Sequence, residues 1–211
     1  MQLLSISVGM PRTVDDHGKP VSTGIYKAPV AGLVAVSATG LAGDGQADLE
    51  NHGGLDKAVY AYTAENYDYW REALGRSDMP HGQFGENLTV SGMPDEAVHL
   101  GDVFRIGEIL VQVTQPRVPC FKLGLRMGMA DFVSRFMTSG RVGFYLRVLE
   151  TGQVRGGDPI ELVRADAEGL NIRDCMLALA EGPRQQEIIR RALSVDALSD
   201  AWRASLLKRQ A

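Results

Sequence analysis

The sequence predicts a mainly β protein of the α+β class, with a barrel-like core that carries a few helices and a C-terminal three-helix appendage. Three observations lead to this prediction. Short apolar runs with a two-residue alternation recur along the chain and are separated by turn residues. The 211 residues include 24 glycines and 9 prolines, which favours short strands over long helices. From about residue 166 a helical period takes over, which divides the chain into residues 1–165 and residues 166–211.

The composition is that of an ordinary globular protein. Hydrophobic residues make up 45% of the chain and charged residues 23%, and the formal net charge is -4. The negative charge argues against a nucleic-acid partner that is bound through bulk electrostatics. No apolar run approaches the roughly 18 residues of a membrane span, and the N-terminus has no basic leader, so we expect a cytoplasmic protein without a membrane segment.

The first part of the chain predicts strands joined by polar loops. The stretch "LLSISV" is a first strand, and a strand-like stretch from Ile25 to Leu41 follows a polar loop. Within that stretch we expect four core contacts: Val30, Leu33, Val34 and Val36. The glycine-rich segment "AGDGQADLENHGGLD" has neither period and predicts a loop, which leads into the strand "KAVYAY".

The middle of the chain predicts two helices among further strands. In "TAENYDYWREALG", Thr63 can cap a helix that Gly75 can end, with one apolar face formed by Tyr67, Trp70 and Leu74. Three strands follow in "FGENLTV", "AVHLGDVFRIG" and "EILVQVTQP". A second helix is expected in "MADFVSRFMTSG", before the strands "GFYLRVLETG" and "PIELVRA".

The C-terminal segment predicts three short amphipathic helices, in "NIRDCMLALAEG", "RQQEIIRRALS" and "VDALSDAWRASLLKRQ". Leu198, Trp202 and Leu206 form an apolar face that is too large to leave exposed, so we expect it to pack on the core or on the second chain of a homodimer. A helix-turn-helix that reads DNA is an alternative, but the acidic and basic residues of this segment nearly balance. Cys175 lies among apolar residues and is expected in the core.

The segment "QPRVPCFKL" places the other cysteine in a rigid, cationic turn. Pro116 should end the preceding strand because it has no N–H to donate, and with Pro119 it restricts the backbone. Arg117 and Lys122 either favour the thiolate of Cys120, which is the nucleophilic and metal-binding form, or bind an anionic group. The alternative is a buried structural cysteine.

Two other polar segments are candidates for a site. His52 precedes two glycines that allow a backbone to approach a ligand closely, and Asp56 and Lys57 add an acceptor and a donor. The alternative is a solvated loop whose glycines only turn the chain. Asn87 lies just before a strand, where it is either a site residue or part of an ordinary turn bond.

Several familiar chemistries have no motif in this sequence. There is no G-x-x-x-x-G-K-[ST] phosphate loop, and "GDGQAD" lacks the third glycine of a dinucleotide-binding turn. H-E-x-x-H, C-x-x-C and G-x-S-x-G are also missing, which argues against zinc hydrolases, zinc ribbons and α/β-hydrolases.

Five segments together resemble the MOSC domain, a family named for the C-terminal part of molybdenum cofactor sulfurases. They are "GDGQADLENHGGLDKAVYAY", "GQFGENLTVSG", "HLGDVFRIGE", "VTQPRVPCFKL" and "SGRVGFYLRVLETGQVRGGD". The closer resemblance is to the YiiM-like branch, whose C-terminal three-helix domain residues 166–211 resemble. The resemblance implies a β-barrel-like core that binds a molybdenum cofactor (molybdopterin). It also implies that Cys120 is the thiolate ligand of molybdenum, and that the pocket is completed by His52, Lys27, Asp56, Lys57, Asn87, Thr114 and Arg117.

The activity that the resemblance implies is the reduction of N-hydroxylated compounds, including N-hydroxylated base analogues, to amines. His52 would supply a proton to the departing oxygen, while Lys27 and Arg117 would hold the anionic end of the cofactor. The chain shows no flavin or iron–sulfur motif, so a separate electron-donor reductase is implied. The alternative is that Cys120 carries a persulfide and delivers sulfur for cofactor assembly.

Overall fold

The computed structural model describes residues 1–48, 53–180 and 182–210, which form one large sheet, two small sheets and several helices. Eight strands make up the large sheet, in the order β13-β9-β10-β11-β7-β8-β1-β4. Every neighbouring pair is antiparallel except β7 and β8. These strands are β1 (Gln2–Val8), β4 (Ala28–Val30), β7 (Val59–Thr63), β8 (Leu88–Ser91), β9 (Val103–Ile106), β10 (Ile109–Pro116), β11 (Phe144–Glu150) and β13 (Ile160–Arg164).

The large sheet curls until its two sides meet. The Leu3 N–H donates to the Asp158 carbonyl at 2.9 Å, and the Gly157 N–H donates to the Leu3 carbonyl at 2.7 Å. The Ile160 N–H donates to the Met1 carbonyl at 3.1 Å, so the start of β1 lies beside the start of β13. This closure satisfies backbone groups that an open edge would expose. The predicted barrel-like core of a mainly β protein is thereby confirmed.

The small sheets lie at the margin of the barrel and correct part of the predicted core. One contains β12 (Gly152–Val154), β5 (Val34–Ser37) and β6 (Gly40–Leu41), and the other is the hairpin of β2 (Arg12–Asp16) and β3 (Lys19–Thr23). Val34 and Val36 are buried as expected. The prediction was wrong for Val30 and Leu33, which are 38% and 61% exposed, because β4 is an edge strand and Leu33 precedes β5.

Two predicted helices of the core are confirmed, and one further helix was not predicted. Helix α1 (Ala64–Leu74) follows Thr63 and ends at Gly75 in the left-handed conformation, and α3 is Phe132–Ser139. Trp70 and Phe132 pack ring against ring at 4.9 Å between these two helices. Helix α2 (Phe121–Met127) begins directly after Cys120, so the cysteine segment is a turn that starts a helix. Its two turns are too short for a clear apolar period.

The C-terminal helices pack against the chain's own barrel. They are α4 (Ile172–Cys175), which continues as a 3-10 turn (Met176–Leu179), α5 (Gln185–Ser194) and α6 (Asp200–Leu207). The apolar face that contains Trp202 and Leu206 is buried, as is Cys175, whose thiol pKa is raised by that burial. The three-helix appendage is therefore confirmed, while the domain boundary at residues 165 and 166 stays a prediction. None of the helices in the described residues is long and apolar enough to cross a membrane.

Candidate functional site

A cavity opens where the ends of several strands meet loops, and its empty space of about 610 Å³ includes open solvent at the mouth. Its walls combine four cations, one thiol and two tyrosines that come from distant parts of the sequence. Most of the predicted site residues lie on these walls. The polar lining residues that the following paragraphs use are Lys27, Asp44, Lys57, Tyr60, Asn87, Arg117, Cys120, Lys122 and Tyr145.

Lys27 forms a buried ion pair with Asp44, whose side chains are only 8% and 7% exposed. The Asp44 carboxylate also accepts from Asn87 Nδ2 at 2.8 Å and from the Gly9 N–H at 2.9 Å. Burial lowers the pKa of Lys27, although Asp44 and Glu86 act in the opposite direction. Sequence reasoning missed Asp44, whose only signal was a carboxylate between two glycines of the "GDG" turn.

Asn87 connects two strands to this ion pair. Its side-chain oxygen accepts from the Tyr60 N–H at 3.1 Å, and its own N–H donates to the Tyr60 carbonyl at 2.8 Å. Its carbonyl accepts from the Ser7 N–H at 2.7 Å. The side chain of Asn87 therefore bonds to the backbone of a distant strand rather than to its own turn, and it also holds Asp44 in the cavity wall.

The loop before Asn87 is built around the buried Glu86 carboxylate. Glu86 accepts from the Tyr67 hydroxyl, from the Gly82 N–H at 2.7 Å, from the Phe84 N–H at 3.1 Å and from the Thr89 hydroxyl at 3.0 Å. Two of these donors belong to the loop, one to α1 and one to β8, and together they satisfy the carboxylate. Glu86 is thus a structural acid, and it fixes the position from which Asn87 reaches the cavity.

Arg117 brings a buried positive charge to the cavity. Its guanidinium lies 5.1 Å from the ring centre of Tyr60 and 5.5 Å from that of Phe136, and the residue is only 6% exposed. Its Nη1 atom is buried and has no hydrogen-bond partner among the described residues. Burial lowers the pKa of Arg117, but Tyr60, Tyr145 and Cys120 more than offset this, so the group stays charged. A buried cation that keeps one unsatisfied N–H group beside its hydrogen bond to Tyr145 is suited to an anionic ligand.

Cys120 lines the same cavity and is partly exposed, whereas Cys175 is buried elsewhere. Arg117 and Tyr145 lie close enough to Cys120 to interact with it electrostatically. Burial raises the pKa of Tyr145, although Arg117 acts in the opposite direction, so its hydroxyl is neutral at neutral pH. Sequence reasoning also missed Tyr145 and Tyr60, which lie in the predicted strands "GFYLRVLETG" and "KAVYAY" and carried no signal of a site.

Lys57 lines the cavity, and two predicted site residues lie behind it. Asp56 pairs with Arg147 at 2.6 Å, and the Thr114 hydroxyl donates to the Asp56 carbonyl at 2.6 Å. Both side chains thus hold the turn that presents Lys57. Burial lowers the pKa of Lys57 despite the opposing charges of Asp56 and Asp48. A direct cofactor contact of Asp56 or Thr114 stays a prediction, and His52 lies outside the described residues.

Comparison with known proteins decides the family. The family model described as "MOSC domain" matches residues 48–161, which include Lys57, Asn87 and Cys120. The chain belongs to the MOSC domain family. Within the family, it is similar to the crystal structure of YiiM from Geobacillus stearothermophilus, with 36% sequence identity and a TM-score of 0.84. The match covers 100% of this chain and 99% of the YiiM chain. The chain is therefore a YiiM-like MOSC protein.

Two curated relatives extend this comparison. The MOSC protein is 43% identical over 208 residues to YflK of Bacillus subtilis (strain 168), a match that covers 99% of this chain and 94% of YflK. It is 40% identical over 149 residues to a protein named "Reductase" from Gibberella moniliformis (strain M3125 / FGSC 7600). That match covers 69% of this chain and 26% of the fungal protein, so the similarity concerns one part of a longer chain.

Proposed function

We propose that this MOSC protein is a molybdenum-cofactor-dependent reductase that converts N-hydroxylated compounds to amines with electrons from a separate reductase. The observation that carries the proposal is the buried Arg117, whose Nη1 atom has no partner in the described part of the chain and which lines the same cavity as Cys120. A soft thiolate and a buried cation on one wall match a cofactor that joins a thiophilic metal to an anionic organic group. The fungal relative named "Reductase" supports a redox role.

The residues of the cavity fit such a cofactor. Cys120 would supply the thiolate ligand of molybdenum, while Arg117 and Lys27 would bind the anionic phosphate and dithiolene end. Lys27 already has Asp44 as its partner, so of these two cations Arg117 is the one with unused hydrogen-bonding capacity. Its stacking on Tyr60 and Phe136 holds the guanidinium in place before a ligand arrives.

When bound, the cofactor would supply the two electrons that cleave the N–O bond. The overall reaction takes a hydroxylamine, two electrons and two protons to an amine and water. Lys57 is a described group on the cavity wall that can deliver a proton, because its lowered pKa makes the ammonium more acidic than usual. The neutral Tyr145 hydroxyl can donate a hydrogen bond to the departing oxygen. His52, the proton donor that the sequence indicates, stays a prediction.

The proposal can be tested on protein produced in cells with an intact cofactor pathway. We expect about one molybdenum per chain and reduction of an N-hydroxylated base by an artificial electron donor. Labile sulfane sulfur without molybdenum would instead favour the sulfur-carrier alternative. Protein with neither metal nor sulfane sulfur, and without reductase activity, would contradict both.

Arg117→Met tests the observation on which the proposal depends. Methionine keeps much of the apolar packing on Tyr60 and Phe136 but removes the buried charge and its unsatisfied N–H group. We expect molybdenum retention to fall at least tenfold, since a charge-assisted hydrogen bond contributes about 1.5–3 kcal/mol. Without the cofactor, the melting temperature should stay equal or rise, because an unsatisfied buried charge opposes folding. A variant that retains molybdenum as well as the parent would contradict the assigned role.

A further inference from the structure

A second group of cations lies beside the cavity and has no part in the proposed cofactor site. The guanidinium carbon of Arg12 lies 3.8 Å from the ring centre of Tyr26, and that of Arg126 lies 4.7 Å from the same ring centre. Two like charges are thus held near one aromatic ring. We call Arg12, Tyr26, Arg126 and the neighbouring Lys122 the rim cluster.

The rim cluster borders the mouth of the cavity. Lys122 lines the cavity, and Arg126 follows it on α2 by four residues, so the two side chains share one helix face. Tyr26 stands between Ile25 and Lys27, both of which line the cavity. A molecule that extends out of the cavity along this wall therefore reaches the rim cluster.

Among the described residues, no carboxylate pairs with these cations. In the parts of the chain that the structure describes, Arg12, Lys122 and Arg126 have no carboxylate within 4.0 Å. Most other arginines do have one: Arg71, Arg76, Arg105, Arg135, Arg147, Arg155, Arg184 and Arg191.

A carboxylate whose charge reaches Arg126 is already satisfied by other donors. Glu86 interacts with Arg126 electrostatically, but its carboxylate already accepts hydrogen bonds from four other donors. Arg126 Nε is buried and lacks an acceptor within the described residues. Burial lowers the pKa of Arg126. Tyr26 raises it, whereas the charge of Arg12 lowers it further. Uncompensated cations around an unsatisfied donor form a site for an anion.

We propose that the rim cluster binds the phosphate of a phosphomonoester, so that the preferred substrate is an N-hydroxylated base that carries a phosphate, as a nucleotide does. A phosphate dianion offers three strong acceptor oxygens, and two guanidinium groups with one ammonium supply matching donors. The identity of the reacting base rests on the proposed function, whereas phosphate binding does not. The cavity itself would hold the cofactor and the base.

Phosphate binding can be measured on the cofactor-free protein by titration calorimetry with AMP, adenosine and inorganic phosphate. We expect AMP and phosphate to bind and adenosine to bind at least tenfold more weakly than AMP. Arg126→Gln and, separately, the exposed Arg12→Gln should each weaken AMP binding by about tenfold, the effect of losing one charge-assisted contact. Equal affinities for AMP and adenosine would overturn the proposal.

Arg141→Gln is the matched control, because Arg141 also stacks on a tyrosine, at 4.4 Å from the ring centre of Tyr69, but does not line the cavity. It should leave AMP binding unchanged. If Arg126→Gln and Arg12→Gln weaken binding no more than Arg141→Gln does, the phosphate is bound elsewhere and the proposal is wrong.

A second experiment separates the substrate's phosphate from that of the cofactor. If the rim cluster serves the substrate, the molybdenum-loaded protein should still bind AMP, and it should reduce an N-hydroxylated nucleotide with a higher kcat/KM than the nucleoside. Loss of AMP binding on loading would show that the cofactor's own phosphate occupies the rim cluster and would overturn the assignment. Equal kcat/KM for the nucleotide and the nucleoside would overturn the assigned role of the rim cluster and leave the proposed reductase function intact. AMP binding without reduction of either compound would contradict the reductase function and leave the phosphate site intact.

Discussion

Asp44 is the anion beside the buried ammonium group of Lys27, and this pair sets the charge of the cavity wall. Asp44→Asn removes that anion and keeps the size of the side chain. We expect a loss of about 3 kcal/mol in the free energy of unfolding at neutral pH, the typical cost of breaking a buried pair. The exposed Asp68→Asn, which removes the partner of Arg71 at the surface, should cost less than about 1 kcal/mol and is the control.

The pH dependence of Asp44→Asn has a definite sign. The pKa of Lys27 already lies below its ordinary value of 10.5, and loss of Asp44 lowers it further. Between the folded pKa and 10.5 the unfolded chain binds more protons, so stability rises with pH through this window. Denaturation of both proteins from pH 7 to pH 10 should therefore show a deficit that shrinks as the pH rises. A deficit that stays constant would contradict a charged Lys27.

Cys120 is partly exposed at the cavity and Cys175 is buried, so we expect their substitutions to have different effects. Cys120→Ser should abolish molybdenum retention and reductase activity, because a hydroxyl is a harder and far less acidic ligand than a thiol. Its fold should survive, since Cys120 lies in a turn at a cavity wall. Cys175→Ser places a hydroxyl in a fully buried position and should cost about 1–3 kcal/mol of stability while leaving metal and activity intact. Metal content, activity and melting temperature of both variants test this, and full activity in Cys120→Ser would make that thiol structural.

At the scale of elements, the start of α6 is attached to the strand that leads to the cysteine. The buried Ser199 hydroxyl caps α6 by accepting from the Trp202 N–H at 3.2 Å, and it donates to Gln115 Oε1 at 2.6 Å. The Ser199 N–H donates to the Thr114 carbonyl at 3.2 Å. The C-terminal helices thus support the end of β10, immediately before Arg117.

Ser199→Ala should lower the free energy of unfolding by about 1–3 kcal/mol, because it removes a cap and leaves Gln115 without its buried donor. The change should also weaken molybdenum retention, since β10 positions Arg117 and Cys120. Ser194→Ala removes only an exposed hydroxyl bond at the end of α5 and serves as the control. Chemical denaturation measures the stabilities, and equal values for the two variants would show that the cap is not needed.

At the scale of the whole molecule, the barrel and the C-terminal helices share buried surface. The Leu100 N–H donates to the Leu170 carbonyl and the Ile172 N–H to the Val98 carbonyl, each at 2.9 Å. Trp202 and Leu206 of α6 are also buried in the folded chain. Removing residues 166–211 would expose apolar surface on the barrel and leave backbone groups unpaired.

The truncated protein should therefore be less soluble, or change its mass by associating, and should melt at a lower temperature. Light scattering and thermal denaturation beside the full chain measure both effects. A truncated protein that stays monodisperse, keeps its mass and is equally stable would show that the helices are not part of the barrel's structure.

The sequence by itself determined the family, the fold class and the residues at which some strands and helices end. Pro116 ends β10 because it lacks an N–H, and Gly75 ends α1 because it adopts the left-handed conformation without strain. The apolar face around Trp202 follows from residue spacing. The prominence of Cys120 came from its two prolines and its flanking cations. All of these features depend on residues that are close together in the chain, and a single sequence displays them directly.

Only the tertiary structure decided which distant residues share the cavity. Asp44 reaches Lys27 across 17 residues and Asn87 across 43, and no periodic pattern marks such pairs. The same holds for Tyr145 beside Arg117, and for Arg12 and Arg126 on one ring. Closure of the barrel brings these segments together. Burial and the partners of each charged group then decide whether it has a structural role or belongs to a binding site. Burial and partnership are properties of the folded chain, which is why the cations of the rim cluster could not be recognised from their sequence positions.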